Sequence, residues 1–152
     1  MAKAFRFSLQ KVLDVRKQVE ELMAVHLKQS QVKLDTEARI MEELHTKKES
    51  TMDESTNIED LSVTQLQLAM DYIQQINEMI AKQQEIVKLS EQKVEENRSK
   101  LIKASQDKKV VESLKEKQFE SWHKDNKKRE QNKENEIAQE VIRKKVIREE
   151  LR

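Results

Sequence analysis

The chain has 152 residues with no Gly, no Pro and no Cys, and 39% of the residues are charged while only 3% are aromatic. Gly and Pro supply tight turns and Cys supplies disulfides and thiolate zinc ligands, so folds with many turns, disulfide frameworks and cysteine-based zinc sites are excluded. The 30 basic and 29 acidic residues are interspersed and give a net charge of +1, which is typical of a solvated helical surface and argues against a nucleic-acid footprint.

The N-terminal residues Met1–Phe7 are not followed by the apolar stretch of a signal peptide. Nowhere does the chain approach the roughly 20 consecutive apolar residues of a membrane span. We therefore expect a soluble cytoplasmic protein.

A weak heptad pattern predicts a first helix over about residues 5–50. Ser8 is a candidate N-cap residue, although the helix could also extend back to Phe5. One inner position of the heptad carries Leu13, Glu20, Leu27, Leu34 and Met41, and the other carries Leu9, Arg16, Met23, Ser30, Glu37 and Leu44.

The segment that follows predicts the turn. Residues 49–60 are rich in Ser, Thr, Asn and Asp, which compete with a helix by bonding to their own backbone. We place the turn at about residues 50–61, centred near Ile58. Either Asp60 or Ser62 is suited to cap the next helix.

A second helix is predicted over about residues 62–150, where the heptad is clearest. The period of seven predicts a left-handed coiled coil, and the polar members of the seam are candidates for fixing its register. One inner position carries Leu66, Ile73, Ile80, Val87, Val94 and Leu101, and the other carries Ala69, Ile76, Gln83, Ser90, Asn97, Ala104 and Val111.

The predicted fold is all-α: a long antiparallel two-helix coiled-coil hairpin with a longer second helix, forming a single rod over residues 1–152. A turn centred near Ile58 makes each residue of the first helix face the residue equally far beyond that centre. Leu13 then lies near Leu101 and Ala104, and Phe5 and Phe7 reach Val110 and Val111. From about Lys115 the second helix is left without a partner, although an apolar stripe continues through Trp122, Ile137, Val141, Ile142, Ile147 and Leu151. A lone helix gains little stability without something to pack against. This stretch therefore frays in isolation, is covered by another protein, self-associates, or packs on a first helix that is longer than predicted, and we favour an external partner.

A second row of apolar residues, Tyr72, Met79 and Ile86, follows the seam of the second helix with Leu68 nearby. This row either broadens the intramolecular seam or forms an exposed patch that docks a partner.

No catalytic pattern stands out. Without Gly there is no nucleotide-binding loop, and His26, His45 and His123 have no ligand partner at helical spacing. We expect no enzyme activity, no catalytic residue, no metal site and no cofactor.

Two segments resemble the FliJ family of flagellar export proteins. The first is FRFSLQKVLDVR at residues 5–16, with aromatic and leucine positions followed by Arg16. The second covers residues 112–117, Trp122 and residues 129–138. The chain departs from the family pattern at Asn135, where Asp is usual, and at Trp122, where Tyr is common. Chain length and two-helix layout also match, so the resemblance covers essentially the whole chain.

The resemblance implies a component of the flagellar type III export apparatus, similar in shape to the gamma-subunit stalk of rotary ATPases. Its implied partners are the hexameric export ATPase FliI, whose ring assembly it promotes, the export-gate membrane protein FlhA and, as for some members of the family, export chaperones. The protein would then be held peripherally at the inner face of the cell membrane through the apparatus. The candidate ATPase-binding residues are Leu9, Leu13, Arg16, Trp122, Arg129, Glu130 and Ile137. The candidate gate-binding residues are Leu44, Leu68, Tyr72 and Met79.

Three other functions fit the same pattern: the stalk of a virulence type III secretion system, a self-associating structural coiled coil and a holdase-like helical chaperone. The partner ATPase, light scattering and aggregation assays, respectively, separate them from the export stalk.

Overall fold

The computed structural model describes residues 3–57 and 59–152. It contains two helices, α1 at Gln10–Asn57 and α2 at Val63–Glu150, of 48 and 88 residues. The described residues contain no β-strand. The predicted all-α fold with a longer second helix is confirmed.

The chain divides into two compact units. Unit 1 comprises Met1–Lys17 and Gln106–Arg152, and unit 2 comprises Gln18–Ser105. Each unit contains parts of both helices, packed against each other in opposite chain directions. That residues 1–152 form a single rod stays a prediction.

The seam of unit 2 follows the predicted heptad. Its polar members Ser30, Gln83, Ser90 and Asn97 are buried along with the apolar ones. Burial every three and then four residues is the pattern of an antiparallel coiled coil. On α1 the buried or half-buried seam residues of this unit are Glu20, Met23, Leu27, Ser30, Leu34, Glu37, Met41, Leu44, Lys48, Thr51 and Ser55, and on α2 they are Ala69, Ile73, Ile76, Ile80, Gln83, Val87, Ser90, Val94, Asn97, Leu101 and Ala104.

Leu66 is the exception to this pattern. It was predicted in the seam, yet 44% of its surface is exposed. Leu61, in the turn, and Ala69 are the half-buried residues on either side of it. The seam of α2 therefore begins at Ala69.

Buried polar side chains bond across or within the seam. The Asn97 side-chain amide donates to the carbonyl oxygen of His26 at 3.3 Å. The Ser30 hydroxyl donates to the carbonyl oxygen of Leu27, one turn earlier in the same helix, at 2.8 Å. These bonds satisfy groups whose burial would otherwise cost free energy.

The predicted turn at residues 50–61 begins too early, because α1 continues to Asn57. The hydroxyls of Thr51, Ser55 and Thr56 donate to carbonyl oxygens four residues back, at 2.7–3.1 Å. Hydroxyl groups that donate to carbonyl oxygens of their own helix are compatible with its continuation. Ile58, the predicted centre of the turn, lies outside the described residues.

Ser62 caps α2, and it is one of the two residues, Asp60 and Ser62, that were predicted to do so. Its hydroxyl accepts a hydrogen bond from the backbone N–H of Gln65, and the Gln65 side-chain oxygen accepts one from the backbone N–H of Ser62, both at 3.2 Å. This reciprocal pair is a capping box. It sets the start of the helix without a Gly in the turn.

The predicted register is wrong, because the turn comes later in the chain. A turn centred near Ile58 would place Gln83 beside Lys33, but Gln83 bonds to Glu37. With α1 ending at Asn57 and α2 beginning at Val63, the midpoint of the turn lies near Asp60. Moving the centre by two residues moves the facing residue by about one helical turn.

The core of unit 1 is small. Phe7, Leu13 and Val111 are buried together, with Phe5 packed against them. Phe7 and Val111 were predicted to meet, and both belong to this cluster; Leu13, predicted near Leu101 and Ala104, is clustered with them. Residues 3–7 are not helical. The first intrahelical bond, from Leu13 N–H to the Leu9 carbonyl, makes Leu9 the cap position in place of Ser8.

The unpartnered part of α2 begins later than Lys115. The ammonium of Lys115 donates to the side-chain oxygen of Gln10 at 2.8 Å, and Trp122 is half-buried. The cause is the N-terminal segment, residues 3–7, which covers this part of α2. Every described residue from 127 onward is exposed.

Candidate partner-binding surfaces

An aromatic cluster lies where the N-terminal segment meets α2 in unit 1. Phe119, Trp122 and His123 are three and four residues apart and so project from one face of the helix. The Phe5 ring meets Phe119 edge-on with centroids 5.3 Å apart, and lies 5.8 Å from Trp122. Phe119 stacks on both Trp122 and His123, with centroids 5.9 and 6.1 Å apart. Such pairs fix the position of Phe5 on the helix.

A basic groove adjoins this cluster. The groove is open, with a volume of about 760 Å³, and Phe5 and Trp122 form part of its wall. Lys3, Arg6 and Arg129 also line it, and none of the described lining residues carries a carboxylate. We call it the basic aromatic groove.

The seven candidate ATPase-binding residues all lie in unit 1, but in different environments. Leu13 is 1% exposed and belongs to the core. The guanidinium of Arg16 donates to the carbonyl oxygen of Asp107 at 2.6 Å, which ties α1 to α2. Trp122 and Arg129 meet in the basic aromatic groove. The exposed members are Leu9, Arg129, Glu130 and Ile137.

The end of α2 offers a long unpartnered helical surface. We define the C-terminal tail as residues 132–152, all of which are exposed. The helix nevertheless continues to Glu150. Its exposed large apolar residues are Ile137, Val141, Ile142, Val146, Ile147 and Leu151.

Three of the four candidate gate-binding residues lie on the surface of unit 2. Leu68 is 65% exposed, and Tyr72 and Met79 are about half exposed. Leu44 is different, since it is 7% exposed and packs in the seam. Because Tyr72, Met79 and Ile86 are all exposed, the row forms a surface patch and does not broaden the seam.

Sequence reasoning missed the aromatic partners in unit 1. Phe119 was not considered, and Phe5 was expected further along the seam, beside Val110 and Val111. The spacing of Phe119 and Trp122 on one helix face was the available signal. This spacing does not show that Phe5 packs against the two rings, because the position of the N-terminal segment on α2 depends on the register of the two helices.

The described residues contain neither a candidate metal site nor a candidate membrane span. No group of His, Cys, Asp and Glu side chains among them is arranged to hold a metal ion. No helix in the same part of the chain is long and apolar enough to cross a membrane.

Comparison with known families decides the assignment. The family of the flagellar FliJ protein matches residues 5–146, which include almost all of both helices. The chain belongs to this family. No curated protein and no solved structure matches this chain. Membership of the FliJ family makes the chain a component of the flagellar type III export apparatus, and it confirms the resemblance noted in residues 5–16 and 112–138.

Proposed function

We propose that the chain is a non-enzymatic stalk of the export apparatus, which binds the FliI ATPase ring with unit 1 and the FlhA gate protein with unit 2. The observation that carries this proposal is the C-terminal tail, which stays helical while all its residues are exposed. Isolated helices are marginal in water. A helix with six exposed large apolar side chains is therefore suited to a partner that surrounds it.

A ring of ATPase subunits fits such a tail because it can contact several sides of one helix. The apolar residues do not form one narrow stripe: Ile137 and Val141 share one side, while Ile142 and Val146 lie further round. Between them stand charged residues of both signs, including the exposed pair Lys144–Glu140 at 3.4 Å. A second long helix would cover a single stripe, whereas a pore contacts all of them.

The gate contact is proposed at the exposed patch that Leu68, Tyr72 and Met79 form on α2. Leu68 and Tyr72 lie four residues apart on α2, Tyr72 and Met79 lie seven apart, and all three are exposed. This is the spacing of anchors that enter an apolar groove. Leu44 would support this patch from within the seam. Unit 2 also contains the turn, whereas unit 1 contains both termini.

The proposed mechanism is mechanical. A stalk without chemistry changes hydrolysis only by contacting some conformations of the ring subunits more favourably than others. Leu13 and Arg16 would hold the N-terminal part of α1 on α2 and so support the surface that meets the ring.

The test compares ATP hydrolysis and ring assembly by the cognate FliI with the full chain and with a chain ending at Gln131. We expect the full chain to stimulate both and the shortened chain to lose this effect. A matched control replaces Tyr72 and Met79 with Ala, which should leave stimulation intact and weaken FlhA binding. If the shortened chain stimulates as well as the full chain, the tail is not the ring contact.

The exposed apolar tail also favours a second function, a structural coiled coil that associates with itself through residues 132–152. Light scattering of the full chain separates the two. A monomer at micromolar concentration supports the stalk, and a dimer that the truncation abolishes supports self-association.

A further inference from the structure

We propose that the basic aromatic groove binds a short acidic peptide segment of a partner protein, with carboxylates flanking an apolar side chain. The proposal deepens the ATPase-end contact, because Trp122 and Arg129 belong to both. The proposal rests on the proposed function only in one respect, the identity of the protein that carries the peptide. The binding itself is a property of this chain alone.

The charge of the groove is the first argument. Lys3, Arg6 and Arg129 line it, and no hydrogen bond or ion pair involves their side chains among the described residues. Some exposed cations of α2 pair with neighbouring carboxylates, as Arg98 does with Glu95 at 2.9 Å, whereas the groove holds three cations and no carboxylate among its described lining residues. Three unpaired cations around one groove, in a chain whose charges otherwise balance, complement a ligand with several carboxylates.

The aromatic wall of the groove is the second argument. Phe5 and Trp122 are half-buried, and their rings are held by the contact between them and by Phe119. Rigid aromatic side chains beside Arg are the residues that contribute most to protein–protein binding. They provide an apolar surface for the side chain between the carboxylates.

The backbone of the N-terminal segment favours a peptide over a nucleic acid. Residues 3–6 are not helical, and within the described residues no hydrogen bond uses their backbone N–H or C=O groups. An incoming peptide backbone can pair with such groups while its side chains contact the aromatic wall. A nucleic acid would draw its affinity mainly from phosphates, and three cations provide few such contacts.

The experiment titrates the full chain with a synthetic peptide, acetyl-Glu-Leu-Glu-Phe-Glu-Leu-Glu-amide. Trp122 is the only Trp of the chain, so its fluorescence reports directly on the groove. We expect saturable quenching or a spectral shift, and binding that weakens as salt is added. The same peptide with Gln in place of Glu should bind about tenfold more weakly or not at all.

A matched pair of triple variants locates the site. Lys3→Gln with Arg6→Gln and Arg129→Gln should weaken binding about 10- to 100-fold. Lys133→Gln with Arg143→Gln and Lys145→Gln removes the same charge from the exposed tail and should leave binding unchanged. Circular dichroism checks that both variants keep the helical content of the natural chain.

Three results overturn the proposal: equal binding of the Gln peptide, equal loss in both triple variants, or tighter binding of a single-stranded oligonucleotide that depends on the three groove cations. The chain ending at Gln131 keeps Arg129 and should still bind the peptide. Loss of ATPase stimulation in that truncation, together with no peptide binding by the full chain, would leave the stalk function standing and remove only the acidic ligand.

Discussion

The side-chain amide of Gln83 donates two hydrogen bonds to Glu37 on the other helix. One reaches the carboxylate oxygen Oε2 at 2.6 Å and the other the backbone carbonyl oxygen at 2.9 Å. Both residues occupy seam positions where a coiled coil usually places apolar side chains. This pair favours one register of the two helices, because a shifted register would separate Gln83 from Glu37 and leave their polar groups without each other.

Replacing Gln83 with Ala should lower the free energy of unfolding by about 1–3 kcal/mol, because Glu37 would lose its partner and a space would open in the seam. Urea denaturation followed by circular dichroism measures the change. The exposed neighbour Gln84→Ala is the control and should change stability by less than about 0.5 kcal/mol. The double variant Glu37→Leu with Gln83→Leu should be as stable as the natural chain or more so, because apolar pairs usually replace buried polar pairs without loss. A marked destabilisation of the double variant would contradict this account of the layer.

The seam could be predicted from the sequence because a period of seven depends only on residue type and spacing. Glu20, Ser30 and Asn97 were placed in it despite their polarity, since the apolar residues on either side kept the period. The end of α1 could not be predicted in the same way. Thr51 and Ser55 read as turn residues by composition, yet their hydroxyls bond within the helix and both are half-buried at seam positions.

Leu13→Ala should lower the free energy of unfolding by about 2–5 kcal/mol, because the side chain is 1% exposed and its removal leaves a cavity beside Phe7 and Val111. Ile137→Ala is the matched comparison. That side chain is 62% exposed, so its loss should change stability by less than about 0.5 kcal/mol while it weakens the proposed ATPase contact. Urea denaturation and ATPase binding are measured on both variants. Equal losses of stability would mean that the tail has an intramolecular partner.

Ser62→Ala should cost about 1 kcal/mol, because it removes one acceptor of the capping box at the start of α2. Ser62→Asp keeps a side-chain acceptor and is the control that should retain most of the stability. Amide exchange at Gln65 checks the local effect, since this N–H loses its partner in the Ala variant. Unchanged protection of Gln65 would show that the cap contributes nothing to helix initiation.

The candidate surfaces were only partly predictable, and the reason is the register. Tyr72 and Met79 could be placed on α2 from spacing alone, and the structure leaves them exposed. Trp122 was expected on the unpartnered part of the helix, but Phe5 packs against it. The later turn accounts for about one helical turn of this difference, and the non-helical residues 3–7, which span more length per residue than a helix, account for the rest. The position of the turn and the non-helical conformation of residues 3–7 together decide which residues of α2 the N-terminal segment reaches, and therefore which residues form the basic aromatic groove.

Amide hydrogen exchange should separate the tail from the seam. Local stability follows burial and tertiary contact, and the exposed tail has only its own helical hydrogen bonds. We expect amides of residues 132–150 to exchange at least about 100-fold faster than those of residues 76–104, because isolated helices open with little cost. Exchange followed by mass spectrometry on the free chain measures this. Adding FliI should slow exchange in the tail and leave residues 76–104 unchanged, whereas protection of the tail in the free chain at low concentration would mean that it already packs against another part of the molecule.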